Sequence, residues 1–131
     1  MKKLTVLLLA IILMAAMCEK EESDDFSNSL KLGTSINSSN FTLNGEGTLF
    51  QQGTSISFRL ECKDDMAGSP VMISIKEVGS VTSTDYNYPS LQGYGHLYMS
   101  AFNAPAPGNY TATGILTAGN KTIASINFTV Q

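Results

Sequence analysis

The segment TSISFRLECKD, residues 54–64, constrains the fold of this chain more than any other stretch. From Ile56 to Cys62, apolar side chains alternate with polar ones, which places the apolar ones on one face of an extended strand. A helix repeats every 3.6 residues and would spread the same side chains around its axis. No long segment with helical periodicity follows Phe26. The pattern therefore predicts strands with one dry face and one wet face.

Similar runs lie along the rest of the chain, separated by residues typical of turns. The clear candidates are VMISIKEV (71–78), GHLYMSAF (95–102), YTATGIL (110–116) and KTIASINFTV (121–130), with weaker ones over 30–36, 41–50 and around Tyr86. In the last clear run, Ala124, Ile126, Phe128 and Val130 are predicted to share the apolar face. About seven antiparallel strands in roughly 100 residues favour a two-sheet sandwich, because each sheet must cover its apolar face. A barrel with the same number of strands is the alternative.

The end of the chain, PGNYTATGILTAGNKTIASINFTV (107–130), resembles the last two strands of bacterial immunoglobulin-like or fibronectin-type domains. In those domains a Pro-Gly-x-Tyr turn starts the penultimate strand. The resemblance implies a single immunoglobulin-like β-sandwich in which Tyr110 is the corner tyrosine, its hydroxyl bonding back to nearby backbone. The chain lacks Trp and a core cysteine pair, which separates it from antibody-type domains.

The opening of the chain is typical of a secretory signal peptide, predicted over residues 1–17. Two lysines precede an uncharged run from Leu4 to Met17, which is shorter than the about 20 residues that a spanning helix needs. The stretch up to Cys18 resembles a bacterial lipobox, in which cleavage exposes a cysteine that receives diacylglycerol. Ala16 and Cys18 fit that motif, whereas Ala15 and Met17 depart from it. A signal cut after Ala15 or Ala16, with an incidental cysteine, is the alternative.

An acidic segment follows the cysteine. Residues 18–25 contain five acidic residues and one lysine, with no large apolar side chain to join a core, so we expect a solvated and extended tether. Its Lys20-Glu21-Glu22 resembles the export tag of surface lipoproteins in some Gram-negative bacteria. The predicted division is a lipidated tether over 18–29 and a sandwich domain over 30–131. Since the net charge is −3 and no basic cluster is present, nucleic-acid binding is not expected.

Residues suited to catalysis or metal binding are few. The single histidine, His96, lies in a predicted strand without the motif of an activated serine, and Cys62 is expected to be a small buried hydrophobe with an inert thiol. Two weaker hypotheses concern metals. Calcium would use Asp64 and Asp65, with Asp85 or Glu46, and copper would use His96 with Met66, Met72 and Met99. The sequence thus predicts a protein that is not an enzyme and holds no metal or cofactor.

A tyrosine-rich stretch, DYNYPSLQGYGHLY (85–98), is the candidate binding region. Tyr86, Asn87, Tyr88 and Tyr94 have the composition of adaptable binding loops, in which tyrosine offers flat contact area with a polar tip. The alternative is that two or three of these tyrosines pack against the edge of the sandwich.

These observations predict a protein secreted across the inner membrane and held in the cell envelope by a lipid on Cys18, with outer-surface display as one possibility. Its leading expected function is a non-catalytic binding or structural module of the adhesion or envelope-assembly type, with a protein or glycan partner. The alternatives are a lipid-anchored protease inhibitor with an immunoglobulin-like fold, which would bind through loops at one end of the sandwich, and a carbohydrate-binding accessory module.

Overall fold

The structure is a computed structural model that describes residues 26–90 and 95–131. These residues form ten strands and contain no helix. The strands are β1 (Ser29–Gly33), β2 (Ser35–Asn37), β3 (Thr42–Asn44), β4 (Leu49–Phe50), β5 (Ser55–Glu61), β6 (Val71–Glu77), β7 (Ser83–Tyr88), β8 (Leu97–Asn103), β9 (Gly108–Leu116) and β10 (Lys121–Val130).

The strands form two main sheets and one small hairpin. The three-stranded sheet has the order β1-β5-β8, the five-stranded sheet has the order β4-β10-β9-β6-β7, and β2 pairs with β3. All pairings are antiparallel except β4 with β10. The prediction of an all-β sandwich is confirmed. There are ten strands rather than about seven: the sequence contains eight candidate runs, and the two over 30–36 and 41–50 are each broken into two short strands.

Two glycines allow the hairpin of β2 and β3 to leave and rejoin the sheet within a few residues. A Cβ on Gly33 would lie 2.7 Å from the Asn44 carbonyl oxygen, and one on Gly45 would lie 2.4 Å from Thr34 Oγ1. Gly45 also has a φ of 56°, a left-handed backbone conformation that residues with a side chain rarely adopt. The segments before β2 and after β3 are therefore in close contact, and a larger residue at either glycine would displace the hairpin from the sheet.

The core lies between the two main sheets and follows the alternation of the sequence. Its members come from both sheets and are at most 9% exposed: Leu30, Leu32, Ile56, Phe58, Leu60, Tyr98 and Phe102 on one side, and Val71, Ile73, Ile75, Ala112, Phe128 and Val130 on the other. The sheets approach closely at Gly114, where a Cβ would lie 2.6 Å from Leu60 Cδ1. Cys62 is buried with a free thiol, in agreement with its predicted place on the dry face.

The sandwich has two ends, which differ in what they carry. At one end, the β5–β6 connection (62–70) lies beside the β9–β10 turn (117–120), joined by a hydrogen bond from the Thr117 amide to the Pro70 carbonyl. At the other end, the β6–β7 turn (78–82) lies beside the β8–β9 connection (104–107). There the Val78 amide donates to the carbonyl of Asn109, near the start of β9. We call the first the tether end, since β1 starts there, and the second the far end. Seven-residue strands separate them by about 20 Å.

Candidate binding groove at the far end

The tyrosine-rich stretch is a strand rather than a loop where the structure describes it. Tyr86 and Tyr88 lie in β7, opposite the core residues Ile73 and Val71. Their alternation turns both rings toward the core, and only Asn87 between them is fully exposed. The loop predicted at Tyr86, Asn87 and Tyr88 is therefore corrected to a strand whose tyrosines pack at the sandwich edge, while a binding role for these residues stays a prediction. Tyr94 lies outside the described residues.

Tyr88 closes the side of the sandwich between β7 and β8. Its ring meets the Phe58 ring edge-on at 5.0 Å, and its hydroxyl donates to the Ala101 carbonyl at 2.8 Å. Burial, with the nearby Tyr86 and Tyr98 hydroxyls, raises the pKa of Tyr88 to about 12, so its phenol keeps the proton that it donates. Tyr88 therefore has a structural role, joining the edge strands of two sheets.

Tyr86 differs because it also lines a groove at the far end. The groove has a volume of about 240 Å³. Its lining comes from the end of β6, the β6–β7 turn, β7, and the β8–β9 connection: Ile75, Glu77, Ser80, Thr82, Ser83, Thr84, Tyr86, Pro105 and Tyr110. Four of these nine residues carry aliphatic hydroxyls, and Glu77 supplies the single charge.

The Glu77 carboxylate lies at the mouth of the groove beside Tyr110. It is close enough to Gly108 that a Cβ there would lie 3.2 Å from Glu77 Oε1. Burial, and then the charge of Glu77, raises the pKa of Tyr110 above its usual value of 10.0. Within residues 26–90 and 95–131, no ion pair joins Glu77 to a lysine or arginine. The carboxylate is thus an acceptor whose lone pairs face solvent.

The β6–β7 turn forms the rim of the groove and is held by its own hydrogen bonds. The Ser80 amide donates to the Glu77 carbonyl at 3.0 Å, and the Thr82 amide donates to Ser80 Oγ at 3.2 Å. Two valines project outward from this short turn: the side chain of Val78 is 66% exposed and that of Val81 is 95% exposed. Neither valine contributes to the core, so the rim presents apolar surface to solvent.

The wall opposite the rim is the tyrosine corner. Tyr110 is buried, its ring stacks on Phe128 at 5.5 Å, and its hydroxyl donates to the Ala106 carbonyl at 2.5 Å. This is the backbone bond that the resemblance to immunoglobulin-like domains implied for Tyr110. Because the bond fastens the 104–107 connection to β9, it also fixes Pro105 in the wall of the groove.

The sequence singled out only Tyr86 and Tyr110 among the residues of this groove. Glu77 and the turn hydroxyls lie in one short segment, 77–84, that carries no motif, and Pro105 and Tyr110, which complete the groove, come from later in the chain. One local signal was present in EVGSVTS (77–83): two valines in a short turn that has no need of apolar side chains.

The acidic residues considered for calcium each have another partner within the domain. Asp64 pairs with Lys121 at 3.4 Å, Asp65 accepts the Ala67 amide at 2.7 Å, and Asp85 accepts hydroxyls from Ser74 and Ser83. Glu46 pairs with Lys31 at 3.6 Å. Among the residues that the structure describes, no cluster of three or more Cys, His, Asp and Glu side chains is suited to a metal ion.

At the tether end, Phe26 and Ser27 contact the sandwich. The Phe26 ring stacks on the His96 ring with centroids 4.4 Å apart, and His96 Nδ1 lies 3.1 Å from the Cys62 carbonyl oxygen. The Ser27 amide donates to Glu61 Oε1 at 2.7 Å. The prediction of a flexible tether through residue 29 is corrected: residues 26–28 contact the domain, and 29 opens β1.

Glu61, which binds Ser27, is also connected through Arg59 to the hairpin of β2 and β3. Arg59 binds Glu61 at 2.6 Å and donates through Nε to the carbonyl of Phe41, whose φ is 56°. Burial raises the pKa of Glu61, but hydrogen bonds from Ser27 and Arg59 and the charge of Arg59 outweigh it and leave the pKa below 4.5. Glu61 and Arg59 therefore link Ser27 to the hairpin.

Comparisons with known proteins leave the chain without an assigned family. No protein-family model matches it, and no curated protein matches it significantly. Over the ranges that the structure covers, no helix is long and apolar enough to cross a membrane.

Proposed function

We propose that this protein is a secreted, lipid-anchored component of a bacterial cell envelope, and that its sandwich is a non-catalytic binding module. The lipid would be carried by Cys18, which lies outside the described residues. In this proposal the groove at the far end, which includes Tyr86 but not Tyr88, makes the contact with a partner, and the tether end faces the membrane.

The single observation that carries this proposal is the placement of the groove relative to the tether. The chain joins the sandwich at Phe26, on the tether end, while Glu77 and Val81 lie on the far end. A domain attached at one end presents its opposite end to whatever lies beyond the membrane. A groove beside the attachment point would instead face the lipid.

The segment between Cys18 and Phe26 supports the same arrangement. It is acidic, and like charges along it favour an extended conformation. Two or more acyl chains on one cysteine would make the attachment durable, whereas a single chain binds a bilayer only marginally. The contacts of Phe26 and Ser27 then limit how freely the sandwich turns on its tether.

The anchor is tested by growing cells with an alkyne-labelled fatty acid. The wild-type chain should incorporate the label and remain with membranes, and Cys18→Ser should incorporate none. A Cys62→Ser variant is the matched control and should be labelled like the wild type. Labelling of Cys18→Ser, or a wild-type chain that carries no label, would contradict the anchor.

The orientation is tested with fluorophores placed at the two ends of the full lipoprotein in vesicles. Val81→Cys marks the far end and Ala118→Cys marks the tether end, and both positions are exposed. Cys62 is 1% exposed and should not react. A quencher in the lipid headgroups should quench the dye at position 118 more strongly than that at 81. Equal quenching, or the reverse order, would rule out the proposed presentation.

A further inference from the structure

We infer that the far-end groove binds one residue of a neutral saccharide. This inference rests on the proposed function, since it names the ligand of the same groove. It follows from three properties of the groove: its volume, the hydrogen-bonding character of its lining, and the apolar surface beside its polar groups.

The volume limits the ligand to a small unit. At about 240 Å³ the groove is smaller than the range of about 300–1,000 Å³ that is usual for drug-sized ligands. It therefore accommodates a single ring rather than several. Because the groove lies at an exposed end of the domain, a longer chain attached to that ring would continue into solvent beyond Val81.

The lining requires a ligand that both donates and accepts hydrogen bonds. The Thr84 side chain has no hydrogen bond to another described residue and offers one donor and two acceptor positions. The Thr82 hydroxyl shares one hydrogen bond with Ser80 Oγ and keeps its remaining capacity, while the Glu77 carboxylate only accepts. The hydroxyls of Ser80 and Ser83 are already used, within the turn and by Asp85. An ammonium or guanidinium group has donors alone, so it could bind Glu77 but could not accept from the hydroxyls of Thr82 and Thr84. An anion would be repelled by Glu77, which has no cation paired with it in the described ranges. A neutral polyol satisfies both kinds of group.

The rest of the lining suits the C–H surface of a sugar ring. Tyr86 is half-buried against Phe102, with ring centroids 5.6 Å apart, so its orientation is fixed before any ligand arrives. Pro105 and Ile75 add apolar surface beside it. The Tyr86 hydroxyl makes no hydrogen bond to another described residue, which leaves it available to a ligand.

The groove is also rigid enough to recognise a specific shape. The hydrogen bonds within the β6–β7 turn hold one side, and the bond from Tyr110 to Ala106 holds the other. A preformed site avoids the entropic cost of ordering loops on binding, which matters most for a ligand with few contacts.

The inference is tested with the full lipoprotein, purified in mild detergent and applied to an array of neutral, acidic and amino sugars. A neutral saccharide that binds is then titrated against four chains: wild type, Glu77→Gln, Thr82→Val and Asp64→Asn. We expect Glu77→Gln to weaken binding about tenfold, because hydrogen bonds to charged groups are the strong ones, and Thr82→Val to weaken it a few-fold.

Asp64→Asn is the matched control, since it removes the same charge at the tether end and should bind like the wild type. Urea unfolding of each variant shows whether a loss of binding reflects loss of fold. Three results would overturn the inference: no neutral saccharide bound, selective binding of acidic or amino sugars, or equal weakening by Asp64→Asn and Glu77→Gln. Each of these would leave the anchoring and quenching results standing, so the failure would fall on the ligand and not on the proposed presentation.

Discussion

The two ends of this sandwich use similar residue types for opposite purposes. At the tether end, Glu61 is paired with Arg59 and also accepts the Ser27 amide, so its charge serves to hold the chain. At the far end, Glu77 has no cation paired with it in the described ranges and faces a groove lined with hydroxyls. A carboxylate surrounded by its own donors contributes to stability, whereas one left open is available to another molecule.

The two ends should also respond to pH in opposite directions. The pKa of Glu61 is lowered by its partners, so its contribution to stability is present above about pH 4.5 and is lost as the pH falls. The pKa of Tyr110 is raised by burial and by Glu77, so its contribution is complete below about pH 10.0 and is lost as the pH rises. Acid therefore weakens the tether end and alkali weakens the far end.

The largest expected effect comes from Tyr110→Phe at the far end. The change keeps the ring but leaves the Ala106 carbonyl without its donor, and it should lower the free energy of unfolding by about 1–3 kcal/mol. Urea unfolding at pH 7 measures this loss. Tyr86→Phe is the control. The Tyr86 hydroxyl has no protein partner in the described ranges, so the urea midpoint of this variant should stay close to that of the wild type. Equal midpoints for the two variants would contradict the role of the corner bond.

A smaller effect is expected from Glu61→Gln at the tether end. The amide keeps the shape but not the charge that binds Arg59, so we expect a loss of roughly 1–2 kcal/mol at pH 7. The difference from the wild type should shrink as the pH falls below about 4.5, because the native carboxylate is then protonated as well. Thermal melts between pH 3 and 7 would follow this convergence. A difference that is constant over the range would show that the charge of Glu61 is not involved.

The smallest of these effects should come from Phe26→Ala. Removing the ring that stacks on His96 should cost about 1 kcal/mol and release the residues beside it. Amide hydrogen exchange is the measurement: exchange at Ser27 should become faster, while exchange at Val78 on the far end should be unchanged. Faster exchange at both ends would show that the two ends are not independent.

The strands of the core could be predicted from the sequence because each carries its own period-two pattern. The face predicted for Ala124, Ile126, Phe128 and Val130 is the one that packs inward, although Ala124 and Ile126 are only half-buried. The same rule would have placed Tyr86 and Tyr88 on one face of a strand. Their residue types instead favoured a loop. In the structure, this segment is a strand because it pairs with β6 along its whole length.

The groove could not be predicted, because it depends on which segments the fold brings together. Glu77 and Pro105 are 28 positions apart and meet only because β9 pairs with β6. The hairpin of β2 and β3 was missed for a related reason. Its strands of three residues each are too short to show periodicity, and Arg59, which binds Phe41, belongs to a distant strand.

The parallel pairing of β4 with β10 has a consequence for how the chain acquires its structure. β10 includes Val130, one residue from the end of the chain, and it joins β9 on one side to β4, some 80 positions earlier, on the other. β4 therefore cannot join the five-stranded sheet until β10 lies beside β9. Contacts between such distant parts of a chain also form slowly. The pairing of β4 is thus the most non-local step in forming this sheet, whereas β6, β7 and β9 can pair before β10 joins them.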